Sequence, residues 1–121
     1  MNIIEMQLNE KIIKPGGRVQ GSVTWNLEKL PKDFEVRLFW VTRGIGTEDL
    51  QVVEKVSIEP RKQGEFRLEF TLPEGPYSFS GKLISLVWAV ECVANPSHHC
   101  ARQEIIVSPT GGEILLGKDH G

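Results

Sequence analysis

Alternation is the feature that constrains this chain most. The stretch EFRLEFTLP sets Phe66, Leu68, Phe70 and Leu72 to one side and Arg67, Glu69 and Thr71 to the other. A period of two buries one face of a strand, whereas a helix would scatter the same residues around its circumference. The period recurs in Met1 to Leu8 (Ile4, Met6, Leu8), in RVQGSVTWNL (Val19, Gly21, Val23, Trp25) and in CARQEIIVSP (Ala101, Ile105, Val107). Gly21, inside a strand pattern, predicts a bulge or the close approach of another backbone. FEVRLFWVTRG alternates Val36, Leu38 and Trp40 with Arg37, Phe39 and Val41, so both faces are apolar and a central strand is predicted. From Leu50 to Ile58 the phase breaks: Val52 and Val53 are adjacent, and Glu54 falls in step with Val52 and Val56. One bulge would repair it.

A long extended segment follows a proline corner. Pro73, Gly75 and Pro76 turn the chain, after which Ile84, Leu86, Trp88, Val90 and Cys92 share one face and Leu83, Ser85, Val87, Ala89 and Glu91 the other. KPGG, LEKLPKD, GIG and ANPSHH supply the remaining turns and loops. Together these features predict an all-β, two-sheet antiparallel sandwich of immunoglobulin-like type with about seven strands. The 121 residues suit one core. One domain is expected over residues 1–108 and a C-terminal tail over 109–121, where Ile114, Leu115 and Leu116 would dock if the tail is held.

A formal charge of −2 with 25% charged residues is an ordinary solvated surface. It lacks the basic excess of a chain that condenses on phosphates, so nucleic acid is not expected as a partner. Acids at Glu5 and Glu10 interrupt the apolar start, and no apolar run reaches the roughly 20 residues of a membrane span. A cytoplasmic protein is expected, with peripheral membrane association left open. Two cysteines, Cys92 and Cys100, are few for a disulfide scaffold and are expected as thiols. An exported sandwich bridged between them is the alternative.

Chemistry finds little purchase in these residues. No Gly-x-Ser-x-Gly elbow occurs, and GGRVQG is not followed by a helix that would offer amides to a phosphate. Paired acids such as Glu48 and Asp49, or Glu65 and Glu69, suit solvated turns and strand faces. The sharpest candidate is the hairpin carrying Cys92, His98, His99 and Cys100. With Pro96 near its centre, the two cysteines would face each other across adjacent strands, and sulfur with imidazole is a donor set that zinc favours. Against it stand the missing Cys-x-x-Cys knuckle and the opposite directions of adjacent histidines on a strand. No enzyme and no cofactor are therefore expected, and a small ligand- or metal-binding accessory role through this hairpin is the alternative function.

PGGRVQGSVTW, then FEVRLFWVTRG, then EFRLEFTLPEGPYSFSGKLISLVWAVECV resemble one half of an arrestin-type protein. The positions that carry the resemblance are Gly16, Gly17, Val19 and Gly21; Phe70, Leu72 and Pro73; Ser78 and Gly81; and Trp88. The match runs from about Pro15 to Val107. It implies an arrestin-like sandwich of the E-set kind and a non-enzymatic protein-binding or scaffolding role. Members of the family generally join two such sandwiches, and this chain has room for one. Apolar surface that a second sandwich would cover is then left for a loop, the chain's own tail, a protein partner or a second copy, of which self-association is the economical choice. The expected surface comprises Arg37, Phe39, Val41, Arg43, Val87 and Ala89, on the side of the central strands away from Trp88.

Overall fold

The structure, a computed structural model, describes residues 2–44, 46–110 and 114–115. Among the described residues ten strands follow in order: β1 Ile3–Leu8, β2 Ile12–Ile13, β3 Arg18–Asn26, β4 Asp33–Gly44, β5 Thr47–Ser57, β6 Gln63–Thr71, β7 Phe79–Ser80, β8 Ile84–Asn95, β9 His99–Val107 and β10 Ile114–Leu115. The seven longer ones correspond to the segments whose alternation predicts strands. The three that the alternation does not predict are two residues long, too short to have a period.

One sheet has the order β1-β3-β6 and is antiparallel throughout. The other runs β10-β7-β8-β4-β5, with β9 also on β8 and β2 on β9. Two of its pairings, β2 with β9 and β10 with β7, are parallel, so the sandwich departs from the purely antiparallel expectation at its margins. The tail contributes to this sheet through the backbone of Ile114 and Leu115, paired beside Phe79 and Ser80; Leu116 lies outside the described residues. Between the sheets lies one core. Val19, Val23, Leu68 and Phe70 enter from the smaller sheet, and Val36, Leu38, Trp88, Val90, Ile105 and Val107 from the larger. Trp25 closes one end, meeting Phe34 edge-on at 4.6 Å while its Nε1 donates to the Arg61 carbonyl at 2.9 Å.

The irregular positions have local causes. Phe39 stands opposite Val52 and Leu38 opposite Glu54, leaving Val53 as the extra residue of a bulge. That slip restores the phase which the adjacent valines break. Gly21 lies between Leu8 and Leu68 in the smaller sheet. A Cβ there would sit 2.9 Å from the Cα of Leu8 and collide with the Gln7 carbonyl oxygen, so the close approach expected of this glycine is made by β1.

The turn and corner motifs are joined to each other. The Gly16 amide donates to the Pro73 carbonyl at 3.2 Å and the Leu72 amide to the Gly17 carbonyl at 2.8 Å. Beyond the corner, the Pro76 carbonyl accepts from Trp88 Nε1 at 2.9 Å. Ser78 is 1% exposed and clamps the end of β9: its amide donates to the Val107 carbonyl at 2.8 Å, and its Oγ accepts from the Val107 amide at 2.9 Å. The neighbouring bonds to β2, from Ile106 to Lys11 and from Ser108 to Ile13, point the other way. Val107 therefore needs Ser78 to satisfy both its backbone groups. Ser78→Ala is expected to strand a buried amide and to cost about 1–3 kcal/mol in urea unfolding.

Candidate functional site

The register of β4 on β8 sets Arg37 opposite Glu91, Phe39 opposite Ala89, Val41 opposite Val87 and Arg43 opposite Ser85. All six residues of the expected surface thus share one face, the face turned away from the core. Their exposure differs from the expectation. Phe39 is 2% exposed, Val41 3% and Ala89 1%, so the centre of the patch is not wet, although these residues stand outside the core cluster. Val87 is only partly covered.

Charge forms part of the cover. Glu91 holds Arg37 Nη2 at 2.6 Å through one carboxylate oxygen and Arg102 Nη2 at 3.2 Å through the other. The Arg102 guanidinium lies 5.0 Å from the centroid of the Phe39 ring, a cation over an aromatic face. Flat guanidinium groups with long apolar stems roof a sheet of small and aromatic side chains in this way. Arg37 Nε is buried without a hydrogen bond, and the nearest anion on that side is Glu35 at 4.0 Å. Arg102 is the residue that sequence reasoning missed. Its signal was present: it follows Ala101, a core-facing residue, so it must point outward, beside Glu91 on the next strand.

The hairpin between β8 and β9 departs from the expected pairing. Cys92 is opposite Ala101, and Cys100 is opposite Val93. The two cysteines therefore point to opposite faces, Cys92 into the core and Cys100 outward, and both are free thiols. His98 occupies the turn with φ of 59°, and His99 Nδ1 is 2.7 Å from Ser97 Oγ. Among the described residues no group of three His, Cys, Asp or Glu side chains is placed to hold a metal ion. Cys92, His98, His99 and Cys100 do not make the zinc set that a facing register would have built, and the same geometry removes the bridged alternative.

Burial pushes the Cys92 thiol up to about 12, with the neighbouring Cys100 and Glu91 acting in the same direction. A folded-state value above the unfolded one means that this group's stabilising contribution is full below about pH 9 and is lost as pH rises from there towards 12. A thiol reagent at pH 8 is expected to modify Cys100 in the native protein and Cys92 only after denaturant is added, read as one equivalent followed by a second. Two fast equivalents would place Cys92 at the surface.

Two open grooves are mainly polar. One, about 670 Å³, lies along β1 and β9 and includes Glu5, Gln7, Thr24, Glu65 and Arg102. Another of about 470 Å³ crosses the outer face of the smaller sheet beside Asn9, Gln20, Glu65 and Arg67. Cys100 also borders the first groove, but among the described residues no hydrogen bond joins its thiol to an acid or a base. No helix among the described residues is long and apolar enough to cross a membrane.

No family model matches the chain, and no curated protein matches it. Solved structures do. The sporulation control protein Spo0M from Bacillus subtilis aligns with a TM-score of 0.65 at 19% identity, over 88% of this chain and 49% of that one. The chain thus spans about half the length of Spo0M and has the same arrestin-like fold. The Pseudomonas fluorescens alkylpurine DNA glycosylase AlkC, solved on DNA containing an abasic site analog, aligns at 0.46 with 13% identity, over 87% of this chain and 30% of that one. A β-glucosidase from Listeria innocua, in complex with gluconolactone, aligns at 0.44 with 18% identity, over 94% and 17%.

Proposed function

We propose that this chain is a non-enzymatic protein-binding or scaffolding module of arrestin-like type, working in the cytoplasm and able to associate with itself. Arg37, Phe39, Val41, Arg43, Val87 and Ala89 form its surface for a protein partner. The observation that carries the reading is the second apolar layer on the larger sheet. A sheet with one buried face alternates apolar with polar, yet β4 and β8 hold Phe39, Val41, Ala89 and Val93 on the side away from the core, all of them buried. Arginine side chains bound to one carboxylate roof part of this layer, and their stems can swing aside without unfolding the sheet. Val87 and Arg43 give the partner its first footing at the margin.

Val87→Glu puts a charge at that margin without touching the core. The variant should melt within a few degrees of wild type, because surface changes of this kind stay near 0.5 kcal/mol. Immobilised wild-type protein and the folded variant, exposed to the same source lysate, should differ by at least one retained component. Identical retention by the two would overturn the assignment of this face.

A further inference from the structure

The outer edge of β6 is open. β6 closes one side of the smaller sheet, and among the described residues no strand pairs with its far side. An edge strand presents a row of unpaired N–H and C=O groups, which proteins usually blunt with bulges, prolines, charges or brevity. β5, at the edge of the larger sheet, is blunted by the bulge at Val53 and by Glu48, Asp49, Glu54 and Lys55. β6 has neither bulge nor proline, and its charges, Glu65, Arg67 and Glu69, alternate in sign along the strand. Its nine residues contain no proline and pair with β3 in unbroken register.

Which residues face the open edge follows from the ladder. At one end the Leu27 amide donates to the Lys62 carbonyl at 2.6 Å, and at the other the Leu72 amide donates to the Gly17 carbonyl at 2.8 Å. Even-numbered residues therefore direct their backbone groups to β3, and strict alternation in an antiparallel pair turns those of Gln63, Glu65, Arg67, Glu69 and Thr71 outward. The same odd-numbered positions carry exposed side chains, with charges running minus, plus, minus from Glu65 to Glu69. Glu69 is engaged within the chain, by Gln20 at 2.9 Å and Arg18 at 3.7 Å. Glu65 and Arg67 stand opposite Thr24 and Ser22 on β3, which are neutral.

From this edge we infer that two copies of the chain pair β6 to β6, antiparallel, about a two-fold axis through Phe66, with Glu65 of each copy opposite Arg67 of the other. The inference rests on the self-association in the proposed function and gives it a surface separate from the outer face of the larger sheet. The register follows from charge. Outward-facing residues must meet outward-facing residues. An axis through Arg67 would oppose arginine to arginine and Glu65 to Glu69, and one through Leu68 would need Glu69, which Arg18 and Gln20 already hold. The axis through Phe66 pairs the two uncommitted charges twice, as an isologous contact requires. It also sets the two partly buried Phe66 rings against each other and adds about eight backbone hydrogen bonds, the pattern of strand addition. The product is one continuous sheet, each copy adding its own β1, β3 and β6.

Sedimentation of the purified chain tests this. Wild type should be a dimer, and Glu65→Arg and Arg67→Glu should each shift it to monomer, with self-affinity weakened at least about tenfold. Mixing the two single variants should restore a dimer, because each Arg-Arg edge then meets a Glu-Glu edge, and the double variant should be dimeric by itself. Both residues are exposed, so matching melting temperatures keep misfolding out of the result. Single variants that remain dimeric would overturn the β6 contact; if Val87→Glu is then monomeric, self-association stands and lies on the outer face. A Glu65→Arg protein that stays dimeric while Arg67→Glu does not would overturn the Phe66 axis in favour of Leu68. Wild type that stays monomeric at high concentration would overturn this inference and self-association together, leaving only a foreign partner.

Discussion

Replacing Trp88 by alanine is expected to lower the unfolding free energy by about 3–5 kcal/mol, the range for removing a large buried aromatic group. The side chain is fully buried, between Leu86 and Val90 on the core face of β8, and its cross-strand neighbours are Trp40 and Ile105. Such a loss is a large fraction of the 5–15 kcal/mol that typically holds a domain folded, so the variant should be partly unfolded at physiological temperature. Trp88→Phe separates the two contributions of the ring. It keeps most of the apolar volume and removes the bond from Nε1 to the Pro76 carbonyl, for an expected cost of about 1–3 kcal/mol. Urea unfolding at constant m-value reads both. A midpoint unchanged in Trp88→Ala would contradict the burial of the ring.

Gly21→Val is expected to cost about 3 kcal/mol or more, because the new side chain meets backbone atoms as well as the Leu8 side chain. Its Cβ would fall 2.9 Å from the Cα of Leu8 and against the Gln7 carbonyl oxygen. Neither can retreat while β1 keeps its ladder to β3. Hydrogen exchange should show where the strain is released: amides of Ile3–Leu8 should lose protection before those of β8. Equal loss in both strands would mean that β1 does not yield separately. Gly21→Ala should show the same pattern at about 1–3 kcal/mol.

Much of this architecture is a property of local sequence. The facing of the long strands other than β5, and the break of phase at Val52 and Val53 that a bulge repairs, follow from a period of two, which a short stretch of chain states without reference to the rest. The outward direction of Arg102 was legible on the same grounds. Tertiary structure alone decided what adjacent strands do to one another. Ile12–Ile13, Phe79–Ser80 and Ile114–Leu115 are strands only because β9, β8 and β7 offer them an edge, and two residues carry no pattern of their own. Cys92 opposite Ala101, where a turn centred nearer Pro96 predicts Cys100, is a slip of one residue. In a sheet one residue reverses the face, and here it separates two candidate ligands. The burial of Phe39 was likewise invisible from its own segment, since the arginine that covers it arrives from β9, 63 positions later along the chain. Facing is set by the alternation of the residue's own strand, whereas register and cover are set by the neighbours that the completed sheet supplies.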